Sequence, residues 1–263
     1  MGETALVGIE TALITGASSG IGAAFARLLA AQGVRPILVA RREERLHALA
    51  DELAEGHGLQ APVLVADLSR PGSAASLFAE TERLGLAVDL LVNNAGFGKG
   101  GEFTDLPLEV QADMVRLNVQ TLMELTWLYL PAMRQRSRGG VINVASTAAW
   151  QPVPDLAVYA ASKAFVLHFS EAVAEEVAAD GVTVMALCPG ATATEFWSTV
   201  GLWEDVLDSM ATPDEVVAQA LTAFARRRRV FVHGARNKVV TWGARIGPRR
   251  LVTSLARRMM AEK

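Results

Sequence analysis

The chain has 263 residues, 51% of them Ala, Val, Ile, Leu, Met, Phe, Trp, Tyr or Cys and 20% charged, with 22 glycines and 10 prolines. That composition excludes a disordered, fibrous or low-complexity chain and predicts a large core within one or two domains' worth of length. The net charge of −3 is unevenly placed: residues 226–263 hold 12 Lys/Arg against one acidic residue, and residues 1–225 hold 13 against 27, so the tail is a separate electrostatic object.

Along the chain, short β-branched runs alternate with longer stretches of helical period, the pattern of a parallel sheet covered on both faces. The first strand, 10–15, runs into Thr15-Gly16-Ala17-Ser18-Ser19-Gly20-Ile21-Gly22, which opens a helix at 20–32. Glycines at such a junction let backbone amides approach a pyrophosphate, and the helix N-terminus favours the anion. The spacing is G-x-x-x-G-x-G rather than the usual dinucleotide G-x-G-x-x-G, so a plain glycine-rich turn is the alternative.

A second strand at 35–40 ends in Ala40-Arg41-Arg42, where a cofactor lacking a 2′-phosphate would meet Asp or Glu. Guanidinium groups grip a phosphate dianion, so Arg41 and Arg42 favour NADP(H) over NAD(H), unless they only solvate the start of the next helix. That helix, 42–56, sets Leu46, Leu49, Ala50 and Leu53 on one stripe. A third strand, 62–66, leads to Asp67-Leu68; Asp67 is placed either to accept from an adenine amino group or to cap the helix at 73–84.

A fourth strand at 88–93 runs into Asn93-Asn94-Ala95-Gly96, with Asp89 expected to cap or pair locally. After a helical stretch at 107–136 containing Leu117-Asn118-Val119, a fifth strand at 140–145 ends at Ser146, on the carboxyl edge where open α/β sheets bind ligands. The helical stretch 155–180 carries Tyr159 and Lys163, four apart and on one face. An ammonium beside a phenol favours the phenolate, which would bring Tyr159 within reach of proton exchange near neutral pH. A sixth strand, 182–188, is followed by Pro189-Gly190 and by an irregular block, 191–212, read as an insertion above the sheet. A helix at 213–226 and a seventh strand at 229–233 complete the unit. No repeat or linker appears, so a single domain is expected: residues 1–233 as the body, 191–212 as a lid, and 234–263 as a basic amphipathic tail.

Taken together, Thr15–Gly22, Asn93–Gly96, Asn118, Ser146, Tyr159-Ala160-Ala161-Ser162-Lys163 and Pro189-Gly190 resemble, in order, the motif set of the short-chain dehydrogenase/reductase family, from about residue 10 to 233. The resemblance implies a doubly wound Rossmann-type α/β sheet of seven parallel strands. It also implies hydride exchange between a nicotinamide cofactor and a carbonyl or secondary alcohol. Tyr159 is then the acid/base, Lys163 lowers its pKa and holds the nicotinamide ribose, Ser146 orients the substrate oxygen, and Asn118 holds a water in a proton relay. Gly16, Ser18, Ser19, Gly20, Ile21 and Gly22 would cradle the phosphates, with Arg41, Arg42, Asp67 and Leu68 beyond them. Asn94, Ala95 and Gly96 would line the adenosine side, while Pro189, Gly190, Thr192 and Thr194 pass over the nicotinamide and its phosphates. Some NADPH-preferring members have a basic residue where Ser19 stands, so specificity here rests on Arg41 and Arg42. Two other readings are a catalytically silent cofactor-sensing scaffold and an isomerase or dehydratase that uses the same tyrosine.

For the substrate side the candidates are Phe97, Trp150, Pro152 and Val153, with Phe196, Trp197, Leu202, Trp203, Val206 and Met210 from the irregular block. With no Lys or Arg between 191 and 212, an apolar carbonyl compound is expected, the alternative being plain lid packing. Cys188, the only cysteine, excludes an intrachain disulfide and a thiolate metal cluster, is expected to be a core thiol, and fits a cytoplasmic location. The four histidines lack metal-ligand spacing, so no metal is expected. Met1 to Glu10 lacks a signal-like pattern and no stretch approaches 18 apolar residues, so neither secretion nor membrane spanning is expected. In the tail, residues 251, 252, 255 and 259 share a helical face. Subunit contact in a homo-dimer or homo-tetramer, as is usual in the family, is the first expectation. Peripheral contact with an anionic membrane is the second, and nucleic-acid binding is not expected.

Overall fold

The computed structural model describes residues 6–200 and 210–261. Leu202, Trp203 and Val206 lie outside the described residues. Seven parallel strands, β1 Thr11–Thr15, β2 Arg35–Ala40, β3 Val63–Val65, β4 Leu90–Asn93, β5 Gly140–Val144, β6 Thr183–Cys188 and β7 Val230–Val232, form one sheet in the order β3-β2-β1-β4-β5-β6-β7. The order reverses between β1 and β4, and the crevice at the carboxyl end of that switch is where such sheets take ligands.

Helices α1 Gly20–Ala30, α2 Glu43–His57, α3 Ser73–Arg83, α4 Leu108–Val115, α5 Leu122–Gln135, α6 Ala157–Glu176, α7 Phe196–Val200, α8 Pro213–Ala225, α9 Ala235–Ile246 and α10 Arg249–Ala261 accompany the strands. Each central strand is buried along its whole length, which is why it reads as a continuous apolar run and not as an alternation. Phe25, Leu29, Leu46 and Phe224 pack one face of the sheet, and Leu77, Leu125, Tyr129 and Val173 pack the other. Leu46, Leu49 and Leu53 of α2 are buried, as their spacing predicts.

Polar groups fix the register inside this apolar body. Asn93 and Asn143 are direct partners across β4 and β5, and Asn93 Nδ2 donates to Asn143 Oδ1 at 2.9 Å and to Thr126 Oγ1 at 3.1 Å. Asn143 Nδ2 donates to Ser170 Oγ of α6 at 2.9 Å. At the other end of the sheet, Asp89 Oδ2 accepts from the amides of Glu10 and Thr11, and its Oδ1 stands 3.6 Å from the guanidinium groups of both Arg136 and Arg138. Asp89 is thus a long-range tie and not the local cap expected.

The stretch 107–136 is not one helix. Between α4 and α5, residues Arg116–Thr121 form a π-turn, and this wider turn carries Asn118. In the tail, α10 carries the helical face expected from residues 251, 252, 255 and 259. α9, which no core-facing stripe announces, precedes it, and Val239, Trp242 and Ile246 of α9 stand exposed. Among the described residues no helix is long and apolar enough to cross a membrane.

Candidate active site

The glycine loop lies between β1 and α1 and is held from behind. Thr15 Oγ1 donates to Val92 O at 3.2 Å and accepts from the amides of Asn94 and Ala95 at 3.0 and 2.9 Å. Asn94 Nδ2 donates to Thr15 O at 2.9 Å and Gly16 O at 3.3 Å. Asn94 therefore anchors the loop with the side chain that the resemblance assigns to the adenosine side. Thr15, a strand-end residue with no mark of function in the sequence, is its partner.

Gly16 has φ +69°, and a Cβ on Gly22 would lie 2.2 Å from Gly16 O and 2.6 Å from Asn94 Nδ2. Only glycine permits this approach. Ser19, at the N-cap of α1, makes no side-chain cap, so the first-turn amides are left for an anion from outside. The loop thus fits a dinucleotide pyrophosphate on its own geometry.

At the end of β2, Arg42 donates to Ser18 Oγ at 3.0 and 3.1 Å and to Ser19 Oγ at 2.7 Å. Arg41 is exposed, with no side-chain hydrogen bond or ion pair among the described residues, and its field helps hold the Asp67 carboxyl down. Asp67 does not cap α3, whose N-cap is Gly72. Its Oδ1 accepts from Ser69 N and Ser69 Oγ at 3.1 and 2.7 Å, and these bonds lower its pKa first of all. Leu68 beside it is buried.

Tyr159 and Lys163 lie on the inner face of α6, both nearly inaccessible, with Lys163 Nζ 5.8 Å from the phenol ring centre. Lys163 Nζ donates to Val144 O at 2.7 Å. Burial pulls this amine down to about 8 and pushes the Tyr159 phenol up to about 12, the latter opposed in part by the adjacent Ser146 hydroxyl. The four-residue spacing leads one to expect the ammonium to draw the phenol down. Burial instead drives the shift upward, against that expectation, and the phenol keeps its proton.

Ser146 stands two residues past the end of β5 and caps the turn Thr147–Trp150, accepting from Ala148 N at 3.1 Å. From the π-turn, Asn118 Nδ2 donates to Phe97 O at 2.9 Å and to Ser162 Oγ at 3.1 Å, and Asn118 Oδ1 accepts from Phe97 N at 3.1 Å. Single π-turns inside helices recur at functional sites. Here the turn brings Asn118 between α6 and the segment after β4. Gly96 must stay small in that gap, since a Cβ would meet Asn118 Oδ1 at 2.8 Å and lie 3.5 Å from Lys163 Nζ. Ala95 is half-buried beside it.

Over the phenol, Phe196 packs its ring 5.3 Å from that of Tyr159. Phe97 and Val153 join it with Met114, Leu156 and Val200, the last three unmarked in the sequence. Trp150 packs instead near the buried Cys188, and Pro152 is exposed. Trp197 Nε1 donates to Thr192 O at 2.8 Å.

The segment that follows β6 is tied to Ala211: Ala193 N donates to Ala211 O at 2.9 Å and Thr192 bridges to Ala211. Thr192 Oγ1 donates to Gly190 O at 3.1 Å, Pro189 O accepts from Thr147 N at 2.9 Å, and Asn237 of α9 presses on Gly190. Thr194 closes onto the loop, its Cγ2 2.8 Å from where a Gly20 Cβ would stand. Ile21 is half-buried behind it. Cys188 is a core thiol pushed up to about 12 by burial, and no three metal-ligating side chains cluster among the described residues.

A glycine-laced loop before a helix, a buried Tyr/Lys pair and a serine converging at the switch point of a parallel sheet define a dinucleotide-dependent oxidoreductase. The comparisons agree: residues 10–205 match the family model for short chain dehydrogenase, and the chain belongs to that family. It is 36% identical over 233 residues to a 7beta-hydroxysteroid dehydrogenase from Collinsella aerofaciens, covering 87% of this chain and 88% of that one. Among solved structures, a short-chain dehydrogenase from Sphingobium yanoikuyae in complex with NADPH superposes with a TM-score of 0.82 at 36% identity, over 91% of this chain and 94% of that one. A 7beta-hydroxysteroid dehydrogenase structure gives 0.85 at 33%, over 96% and 97%. The chain is thus an oxidoreductase acting on CH–OH and C=O groups with a nicotinamide cofactor.

Proposed function

We propose that the protein is an NADP(H)-dependent reductase or dehydrogenase of an apolar ketone and its secondary alcohol, with Tyr159 as the proton donor and acceptor. One observation carries this reading: a phenol held protonated by burial, beside the Ser146 hydroxyl and beneath a cover of Phe97, Val153 and Phe196. A protonated phenol is the state required to donate to a carbonyl oxygen, and two hydroxyls in a dry site stabilise the charge growing on it.

The nicotinamide, when bound, supplies and takes up the hydride. The glycine loop, Gly16 to Gly22, holds the phosphates. Arg41 and Arg42 hold the 2′-phosphate, with Asp67, Leu68, Asn94, Ala95 and Gly96 on the adenosine side and Pro189, Gly190, Thr192 and Thr194 on the other. Lys163 orients the ribose, and its charge favours the phenolate form of Tyr159 during alcohol oxidation. Asn118 keeps the entry to Lys163 open for a relaying water.

The lack of a basic side chain in 191–212 supports an apolar substrate, as does the likeness to hydroxysteroid enzymes. We assign residues 1–233 to the dinucleotide-binding and catalytic unit, 191–212 to its lid and 234–263 to a tail of the same domain. The exposed apolar stripe on α9 supports a homo-dimer or homo-tetramer, and the single buried thiol fits the cytoplasm.

The test is NADPH oxidation across ketones, aldehydes and 3-oxoacyl thioesters of graded size, repeated with NADH and with Tyr159→Phe. The variant should fold and bind NADPH while losing at least about 10² to 10⁴ in turnover. Near wild-type turnover refutes the role of Tyr159. Equal efficiency with NADH removes the argument from Arg41 and Arg42.

A further inference from the structure

At the rim of the glycine loop two cations of α2's opening turns meet one carboxylate of the lid. Glu195 Oε2 accepts from Arg42 Nη1 at 2.6 Å, and Glu195 Oε1 accepts from Arg45 Nη1 at 2.5 Å. Arg42 is the N-cap of α2 and Arg45 lies in its first turn, three residues on. One planar acid spanning two guanidinium groups is the arrangement a phosphate would take on the same donors. Arg42 also reaches Ser18 and Ser19 of the loop, so the acid sits where the loop, the helix and the lid converge.

We infer that Glu195 is an internal counter-anion for the 2′-phosphate subsite, displaced from Arg42 and Arg45 when the cofactor binds, and that Arg45 is a further specificity-determining cation of that subsite. This rests on the NADP(H) reading above. A 2′-phosphate carries nearly twice the charge of the carboxylate it replaces, and both arginines and Glu195 are about half exposed (43–50%). The exchange strands no buried charge, and the pairs broken are screened ones. A ribose 2′-hydroxyl carries no charge with which to compete, so ligands of the NAD(H) type leave Glu195 in place.

Glu195 immediately precedes α7, and Phe196 at the head of α7 lies on the Tyr159 ring.

The test measures binding without turnover. 2′,5′-ADP and 5′-AMP, which differ by the 2′-phosphate alone, are titrated calorimetrically into wild type, Glu195→Gln, Arg45→Ala and Arg41→Ala, alongside NADPH and NADH. Thermal melts check that each variant folds. Glu195→Gln should tighten 2′,5′-ADP and NADPH by about three- to tenfold, the worth of a screened ion pair. It should leave 5′-AMP and NADH within about twofold, since neither meets the freed arginines. Arg45→Ala should weaken 2′,5′-ADP by a similar factor, and both effects should shrink as salt is raised. If Glu195→Gln leaves 2′,5′-ADP unchanged while Arg41→Ala weakens it, the counter-anion is refuted and the NADP(H) reading stands. If Arg45→Ala changes nothing, Arg45 has no part in the subsite. Equal affinity of wild type for 2′,5′-ADP and 5′-AMP overturns the NADP(H) reading itself.

Discussion

Replacing Thr15 by valine keeps the shape of a fully buried side chain and deletes one oxygen on which three hydrogen bonds meet. Of its partners, Asn94 N and Val92 O keep each other at 3.0 Å, but Ala95 N has no second acceptor among the described residues. A stranded amide costs about 1–3 kcal/mol, and each of the other two lost bonds about 0.5–1 kcal/mol. Thr15→Val should therefore cost about 2–5 kcal/mol, whereas Thr15→Ser, which keeps the hydroxyl and loses a methyl, should cost only about 1 kcal/mol. At roughly 2–4 °C per kcal/mol for a chain of this size, the valine variant should melt about 5–15 °C lower. Because the same oxygen positions Asn94 behind Gly16, the valine variant should also bind NADPH more weakly in a fluorescence titration. Equal stability of the two variants in urea denaturation would show that Thr15 does not anchor the loop.

Gly22→Ala sets a methyl 2.2 Å from Gly16 O; overpacking costs about 1–3 kcal/mol in a well-packed core. We expect a lowered melting point and loss of NADPH binding, measured on the same samples. Lys163→Met should flatten the pH dependence of stability. With the folded amine down at about 8 and its ordinary value near 10.5, wild type gains stability as pH rises through that window and bears the full burial penalty below it. The variant's advantage should be largest at pH 7 and shrink towards pH 10.5, as read from urea midpoints. With Tyr159 protonated across the neutral range, carbonyl reduction should be nearly level from pH 6 to 8 while alcohol oxidation climbs. An oxidation rate that is flat over that range would show that no phenol deprotonation limits it.

All seven strands stand within two residues of their expected places: the five inner ones are buried almost throughout and have to be unbroken apolar runs, and the half-buried edge strands β3 and β7 are short apolar runs as well. Tyr159, Lys163 and Ser146 were legible for a related reason: helical spacing and the end of a strand are local facts. The π-turn at Arg116–Thr121 was not, since its residues are ordinary helix formers with no glycine or proline to mark it; Asn118 was recognisable only as part of a motif. α9 escaped because its apolar residues face outwards and leave no core stripe. Asp67 closes its own turn with Ser69, and Asp89 ties strands far apart in the chain. The cover over Tyr159 recruits Met114, Leu156 and Val200 from three separate elements, an encounter only the folded chain creates.

The amide ladder from Asn93 through Asn143 to Ser170 reaches α6 two turns beyond Lys163 and fixes that helix at one point along its axis. Sliding by one residue would break the Ser170 contact and carry phenol and amine off the strand end together. The placing of Tyr159 and Lys163 is thus gauged by two carboxamides on the central strands, and changes there should register as errors of position at the strand end.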